Sequence, residues 1–227
     1  MSVSVTYHGH GTISLDVDGA KVLVDPFFTD NPSARLSAEQ VDADFILLTH
    51  GHGDHVADAV SIAKRCDSLV ISNFEISSWI ASQGHEKVHG QHIGGGFRHP
   101  FGHVKLTIAF HGSALPDGSN GGMPAGFLLS VGGKKVYIAG DTALYSDMQL
   151  TGQAGLDLAV VPIGDNFTMG PDDALQAVKF LEPAVVVPYH YSTWPPIVQD
   201  VDEWARRVDA ETDSRVVVLG VEESYTL

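Results

Sequence analysis

The chain is short of cysteine, of positive charge and of long apolar runs. Its one cysteine, Cys66, excludes an internal disulfide. A fold without disulfides is expected in a reducing compartment. Lys and Arg number 13 against 28 Asp and Glu, a formal net charge of -15. That balance argues against a nucleic-acid binder with a broad phosphate footprint. The largest apolar runs fall well short of the roughly 18 residues that a spanning helix needs. The opening Met1-Ser2-Val3-Ser4-Val5 has neither a basic region nor an apolar segment, so no signal peptide is read and a cytoplasmic protein is expected. A membrane partner is not expected.

What is present suits an ordinary α/β protein. Hydrophobic residues make up 44% and there are 24 glycines, enough for one substantial core in 227 residues. A single domain over residues 1–227 is expected. Val3 to Tyr7, Ile13 to Val17 and Lys21 to Asp25 alternate as strands of an antiparallel meander, with a turn at Asp18-Gly19. Phe45 to Thr49 is a continuous apolar run, the mark of a strand covered on both faces. Val56, Ala59, Val60 and Ala63 then fall on one helix face. Leu69 to Ser72 reads as a strand, and Asn73 as the cap of a helix through Ser82. Lys105 to Phe110 reads as a strand ending at His111.

Gly112 to Gly126 is a loop too long for a simple connection. Its glycines and its place after His111 suggest a pliable gate over a substrate site. The second half repeats the logic of the first. Gly126 to Val131 and Lys134 to Ala139 form a hairpin through Gly132-Gly133. Leu158 to Ile163, Ala184 to Pro188 and Val216 to Leu219 read as strands. Pro171 opens a helix with Asp172 and Asp173 in its first turn. Val201, Trp204, Ala205 and Val208 mark the last helix. Two mixed sheets face to face with helices outside would bury every apolar face.

Polar residues collect where these strands end. His50-Gly51-His52-Gly53-Asp54-His55 places four candidate metal ligands within six residues. Alternate residues of an extended segment point the same way, so His50 and His52 can face one metal. Asp54 and His55 then serve a neighbouring position, which suits two metals better than one tetrahedral ion. His111, Asp141 and His190 each follow an apolar strand and complete the set, with Asp141 placed to bridge ions about 3.5 Å apart. His10 is read as lining the site as a hydrogen-bond donor, and His8 as a turn residue. Asp25, and equally Asp165 and Asn166, are read as acceptors behind a ligating imidazole. His85, His89, His99 and His103 lie in polar context and are expected on the surface. Cys66 is read as a buried thiol rather than a nucleophile.

The His50 to His55 run, followed in order by His111, Asp141 and His190, resembles the metallo-β-lactamase superfamily. Within it the chain is similar to a small bacterial and archaeal group of metal-dependent hydrolases related to the ascorbate-lactonase-like branch. The segments that carry this are Tyr7-His8-Gly9-His10, Asp25-Pro26-Phe27, Gly122 to Gly126, Gly140-Asp141-Thr142-Ala143, Pro162 to Gly170 and Pro188-Tyr189-His190-Tyr191. The group often has Ser where this chain has Gly11. The resemblance implies an αβ/βα four-layer sandwich with a two-metal site at one edge.

The function expected is hydrolysis of a small ester, lactone or amide by a metal-bridging hydroxide. His50, His52 and His111 would hold one ion, Asp54, His55 and His190 the other, and Asp141 would bridge. Asp54 would also orient the attacking hydroxide, with His10 as its partner in catalysis. Two divalent ions are expected, Zn first, with Mn or Fe also compatible with His and carboxylate donors. The alternatives are a phosphodiesterase acting on a nucleotide or short RNA, and a non-enzymatic metal-binding sensor or scaffold. The expected partner is a small molecule, with a homo-oligomer compatible.

Overall fold

The computed structural model describes residues 2–227. Two mixed seven-stranded sheets face each other. The first is built from β1 (Val3–Gly9), β2 (Thr12–Val17), β3 (Ala20–Val24), β4 (Phe45–Leu47), β5 (Leu69–Asn73) and β6 (Val88–Gln91). The second is built from β7 (Gly96–His99), β8 (Gly102–Ile108), β9 (Ala125–Val131), β10 (Lys134–Ile138), β11 (Leu158–Pro162), β12 (Val185–Tyr189) and β13 (Arg215–Val216). The chain end returns as β14 (Ser224–Thr226), antiparallel to β1, and completes the first sheet. In each sheet an antiparallel meander gives way to parallel strands, β3 to β6 in the first and β10 to β13 in the second.

Period-2 alternation explains why this makes four layers. Along β10 and β11, Val136, Ile138, Leu158 and Val160 enter the core between the sheets. Their neighbours Tyr137, Ala159 and Val161 face the outer helices instead. These helices are α4 (Met148–Gly152), α5 (Pro171–Leu181) and α6 (Val201–Glu211). The other outer core packs Leu23, Ile46, Leu48 and Val70 under α1 (Gly53–Val56), α2 (Ala59–Cys66) and α3 (Phe74–Ser82). The expected four-layer sandwich is therefore what forms. No helix among the described residues is long and apolar enough to cross a membrane.

Several local expectations are corrected. The short strands β6 and β7 were not legible, because each carries a single apolar residue, Val88 or Phe97, among four. They lie at the ends of the two sheets, and there His99 and His85 become buried rather than exposed. His85 Nε2 meets the Ser68 carbonyl at 2.8 Å, and the His89 ring packs on Phe97 at 4.4 Å. His8 is no turn residue: it sits in β1, buried, between Ser14 Oγ at 2.8 Å and the Glu222 carboxylate at 3.0 Å. Cys66 is half-buried, with its thiol 3.7 Å from Asp42 Oδ1. The strand expected at 216–219 is only Arg215–Val216.

The loop after His111 is pinned rather than pliable. Ala114 and Asn120 form an isolated bridge, and Leu115 is buried in the core under α1 to α3. Asn73 ties the loop down. Its Oδ1 caps α3 by accepting from Ile76 N at 2.8 Å, and its Nδ2 donates to the carbonyls of Gly121 and Met123 at 2.6 and 2.9 Å. Asn73→Ala removes a cap and orphans two carbonyls, so a loss of about 2–4 kcal/mol of stability is expected. Denaturant unfolding checks this. Asn73→Asp keeps the cap but cannot donate, so it should restore the helix term while leaving the loop more open to proteolysis.

Candidate metal centre

The nominated ligands, with His10 and Asp25, converge at one edge of the sandwich, where strands end. His10 follows β1, Asp25 follows β3, the His50 to His55 run follows β4, His111 lies beyond β8, Asp141 beyond β10 and His190 directly after β12. Open α/β sheets build sites at such carboxyl ends. Three groups have donor atoms within 4.8 Å of one another: two sets, His50, His52 and His111, and His10, Asp54, His55 and His190, and a third, Asp25, His50 and His55, that joins them from behind. Asp141 stands between the two sets. Its Oδ2 is 4.0 Å from His50 Nε2 and 3.6 Å from His111 Nε2 on one side, and 3.4 Å from His55 Nε2 and 3.0 Å from His190 Nε2 on the other.

The donor set fits metal ions on its own chemistry. His55 Nε2, both ring nitrogens of His190 and Asp141 Oδ1 are buried without a hydrogen-bond partner. The His190 nitrogen lies close to Asp141 but is not aligned for a hydrogen bond. Buried polar atoms are normally satisfied, so a cluster of orphans pointing together calls for a ligand. A buried carboxylate among imidazoles also needs positive charge nearby. Despite burial, His190 and His55 hold the Asp141 carboxyl well below its ordinary range. Burial, with His55 next, pulls the His50 imidazole well below its own, which leaves it neutral and able to coordinate.

Asp25 and Thr49 set the tautomers. Asp25 is fully buried and accepts from Thr49 N at 2.8 Å, Thr49 Oγ1 at 2.5 Å and His55 Nδ1 at 2.9 Å. Thr49 Oγ1 spends its proton on Asp25, so at 2.9 Å it accepts from His50 Nδ1. Both imidazoles then carry a proton on Nδ1 and turn Nε2 toward the cluster. One carboxylate thereby orients one imidazole in each set. Asp25 was anticipated in this role; Thr49 was not, having read only as the end of an apolar strand. Asp165 and Asn166 do not share the role. They are exposed in a turn where the Asp165 carboxylate accepts from Asn166 N at 2.8 Å.

His10 is fully buried, with Nε2 3.0 Å from Asp54 Oδ2 and Nδ1 2.9 Å from Thr193 Oγ1. Burial brings its pKa down to about 4, against the pull of Asp54. Burial opposes ionisation of Asp54, yet the hydrogen bond from His10 and the charge of His55 hold its carboxyl below the ordinary range. Neutral His10 therefore donates from Nε2 to an ionised Asp54. Gly11 allows the next strand to press on the second set. A Cβ there would come 2.7 Å from His55 Cε1, so backbone packs on the imidazole where a side chain could have stood.

The polar cluster opens into a cavity of about 510 Å³, lined by His52, Asp54, His111, Asp141 and His190 together with the apolar Phe167, Trp194 and Pro196. A second cavity, about 590 Å³ between the ends of α5 and α6, contains no imidazole and shares no residue with the first. The chemistry lies in the smaller one.

Comparison with known proteins agrees with this geometry. The model of the Beta-lactamase superfamily domain matches residues 20–191. A UPF0173 metal-dependent hydrolase of Heliobacterium modesticaldum is 49% identical over 98% of this chain and 97% of its own. One from Bacillus cytotoxicus is 48% identical over 99% of this chain and 100% of its own. Among solved structures, a metallo hydrolase from the hyperthermophilic archaeon Ignicoccus hospitalis superposes with a TM-score of 0.92 at 34% identity, covering 100% of this chain and 99% of that one. The chain belongs to the β-lactamase superfamily and, within it, to the metal-dependent hydrolases.

Removing the tautomer-setting carboxylate should therefore weaken metal binding without touching a ligand. Asp25→Ala is expected to lower affinity by about 10- to 100-fold for the ions facing both sets. Thr49→Val should affect only the set containing His50. Competition titration with a chelating indicator measures both, and an unchanged affinity in Asp25→Ala would contradict the assignment.

Proposed function

We propose that this member of the family is a dinuclear hydrolase that opens a small ester, lactone or amide with water. The observation that carries the reading is the position of Asp141 Oδ2, within 4.0 Å of an imidazole nitrogen from each of His50, His111, His55 and His190. One ion would be held by His50, His52 and His111, the other by Asp54, His55 and His190, with Asp141 shared. Bound divalent ions, Zn first and Mn or Fe as alternatives, would polarise the scissile carbonyl and lower the pKa of water toward neutrality.

The side chains do the rest of the work. Asp54 is ionised and fixed by His10, so its carboxylate can accept a hydrogen bond from the attacking water and aim its oxygen at the carbonyl carbon. That oxygen forms a bond to the carbon, the C–O or C–N bond breaks, and a proton passes to the departing atom. Ser and Cys nucleophiles are not needed: Cys66 lies on α2, outside both sets and outside the cavity lining. A phosphodiesterase is the weaker reading, since none of the residues lining the cavity is Lys or Arg. A pure sensor would have little use for the 510 Å³ cavity beside the ligands, a size in the ordinary range for small-molecule sites. The acidic surface and single cysteine fit a cytoplasmic setting.

Elemental analysis at saturation should approach two metals per chain, and His52→Ala should abolish turnover of a panel of lactones and aryl esters. A stoichiometry of one or less would remove the dinuclear model. Asp141→Ala should bind at least one ion less tightly and turn over at least about 10²-fold more slowly, because small displacements of reacting groups are costly. A near-normal kcat in that variant would show that Asp141 does not bridge.

A further inference from the structure

The cavity lining carries two chemistries: a polar set of histidines and carboxylates, and an apolar set of Phe167, Trp194 and Pro196. Two features show that this apolar wall is built rather than incidental. Phe167 is 53% exposed, yet its turn is tied by backbone hydrogen bonds. Asp165 and Asn166 take consecutive left-handed conformations, φ 62° and 51°. Asp and Asn tolerate this region best among residues with a Cβ, but two in a row are still strained. The turn is closed by Asp165 N to Met169 O at 3.0 Å and anchored by Met169 N to Thr142 O at 3.0 Å, next to Asp141. Gly164, just before it, packs against the metal-side chain: a Cβ there would sit 2.2 Å from the His190 carbonyl.

Trp194 is presented in the same manner from the other side. It follows His190 and Ser192, both left-handed at φ 55° and 56°. Its carbonyl accepts from Ile197 N at 3.0 Å, and Pro195 and Pro196 stiffen the turn after it. Its indole stands edge-on to the His10 ring at 4.5 Å and packs near Phe27 at 6.2 Å. The strain at both turns places flat apolar side chains beside the reactive centre and leaves Phe167 half open to solvent. An exposed aromatic fixed at such expense is a surface awaiting a partner of the same character.

We infer that this wall selects substrates that are uncharged and carry a flat apolar group, which stacks against Phe167 and Trp194 while the scissile carbonyl faces Asp54 and Asp141. An aromatic pair gains about 0.5–1.5 kcal/mol beyond its buried area, so two such contacts can dominate the choice among small substrates. A substrate with a negative group at that end meets no Lys or Arg in the cavity lining and loses hydration without compensation. Phe167 and Trp194 thus determine specificity; because Trp194 also packs edge-on to the His10 ring at 4.5 Å, its variant is read by binding and metal content rather than by turnover. The inference rests on the hydrolase reading only for the identity of the reacting centre.

The test separates binding from turnover by using amides of one acid. Calorimetry of the metal-loaded protein with acetanilide, N-ethylacetamide and 4-sulfoacetanilide reads the wall directly. Acetanilide should bind at least about 10-fold more tightly than either of the others. Trp194→Ala and Phe167→Leu should each reduce that preference by about fivefold or more, with metal content unchanged. Metal content also reports that each variant has folded. Equal binding of the three amides, tighter binding of the sulfonated one, or a preference untouched in both variants overturns the inference. If the preference holds but no ester or lactone is hydrolysed, the wall is right and the proposed reaction is wrong.

Discussion

The buried carboxylate of Asp25 is the constraint on which the site depends. A carboxylate without solvent access is unfavourable by several kcal/mol unless hydrogen-bond donors replace its water. Here the donors come from three places: the backbone and hydroxyl of Thr49 at the end of β4, and the ring of His55 in α1. Satisfying Asp25 therefore fixes the first turn of that helix against the ends of β3 and β4. It also decides which nitrogen each imidazole presents. Without that decision the histidines of the motif would be correctly spaced and wrongly protonated. Asp25 itself takes a left-handed backbone, φ 48°, so the chain accepts local strain to bring the carboxylate into place.

A second constraint follows from charge. Two carboxylates, Asp54 and Asp141, stand within 4 Å of imidazole nitrogens in a pocket that excludes much of the water. Burial lowers the His55 pKa, but Asp141 and Asp25 outweigh it and hold the imidazole well above its ordinary value. The same burial leaves His50 and His10 neutral. The cluster thus has a net demand for positive charge at its centre and neutral donors around the rim. Divalent ions meet both conditions at once, whereas protons can occupy only the positions beside the carboxylates.

The polar half of this site was legible in the sequence because chemistry and secondary structure coincide there. The candidate ligands sit within a few residues of the ends of apolar strands, and four of them are nearly contiguous. Period-2 alternation and the Asn73 and Pro171 helix starts gave the layers for the same reason. What escaped was set by tertiary context. Strands β6, β7 and β14 are short and polar, and become strands only because a neighbouring edge accepts them. His99 and His85 are buried by that pairing and not by any local pattern. Thr49 completes an apolar run by identity, and its relay to His50 needs the Asp25 carboxylate brought from 24 residues away. Phe167 and Trp194 lie in loops, where no periodicity marks an aromatic residue as part of a wall.

The two halves of the cavity are held by different means, and this bears on how the fold accommodates different substrates. Ligands on the polar wall come from strand ends shared by two sheets, so moving one disturbs the core between them. The apolar wall hangs on two turns, residues 165–169 and 192–197, closed mainly by their own backbone hydrogen bonds. A change of side chain at position 167 alters what faces the cavity, and one at 194 also removes the packing on His10 and Phe27. Each turn is nonetheless anchored close to a polar-wall residue, through Thr142 beside Asp141 and through the chain leaving His190. Specificity can therefore vary at the tips of these turns while the geometry at Asp141 stays fixed. Such a division separates the residues that position the reacting centre from the turn residues that border it, so side chains at the turns can change without moving the imidazoles and carboxylates.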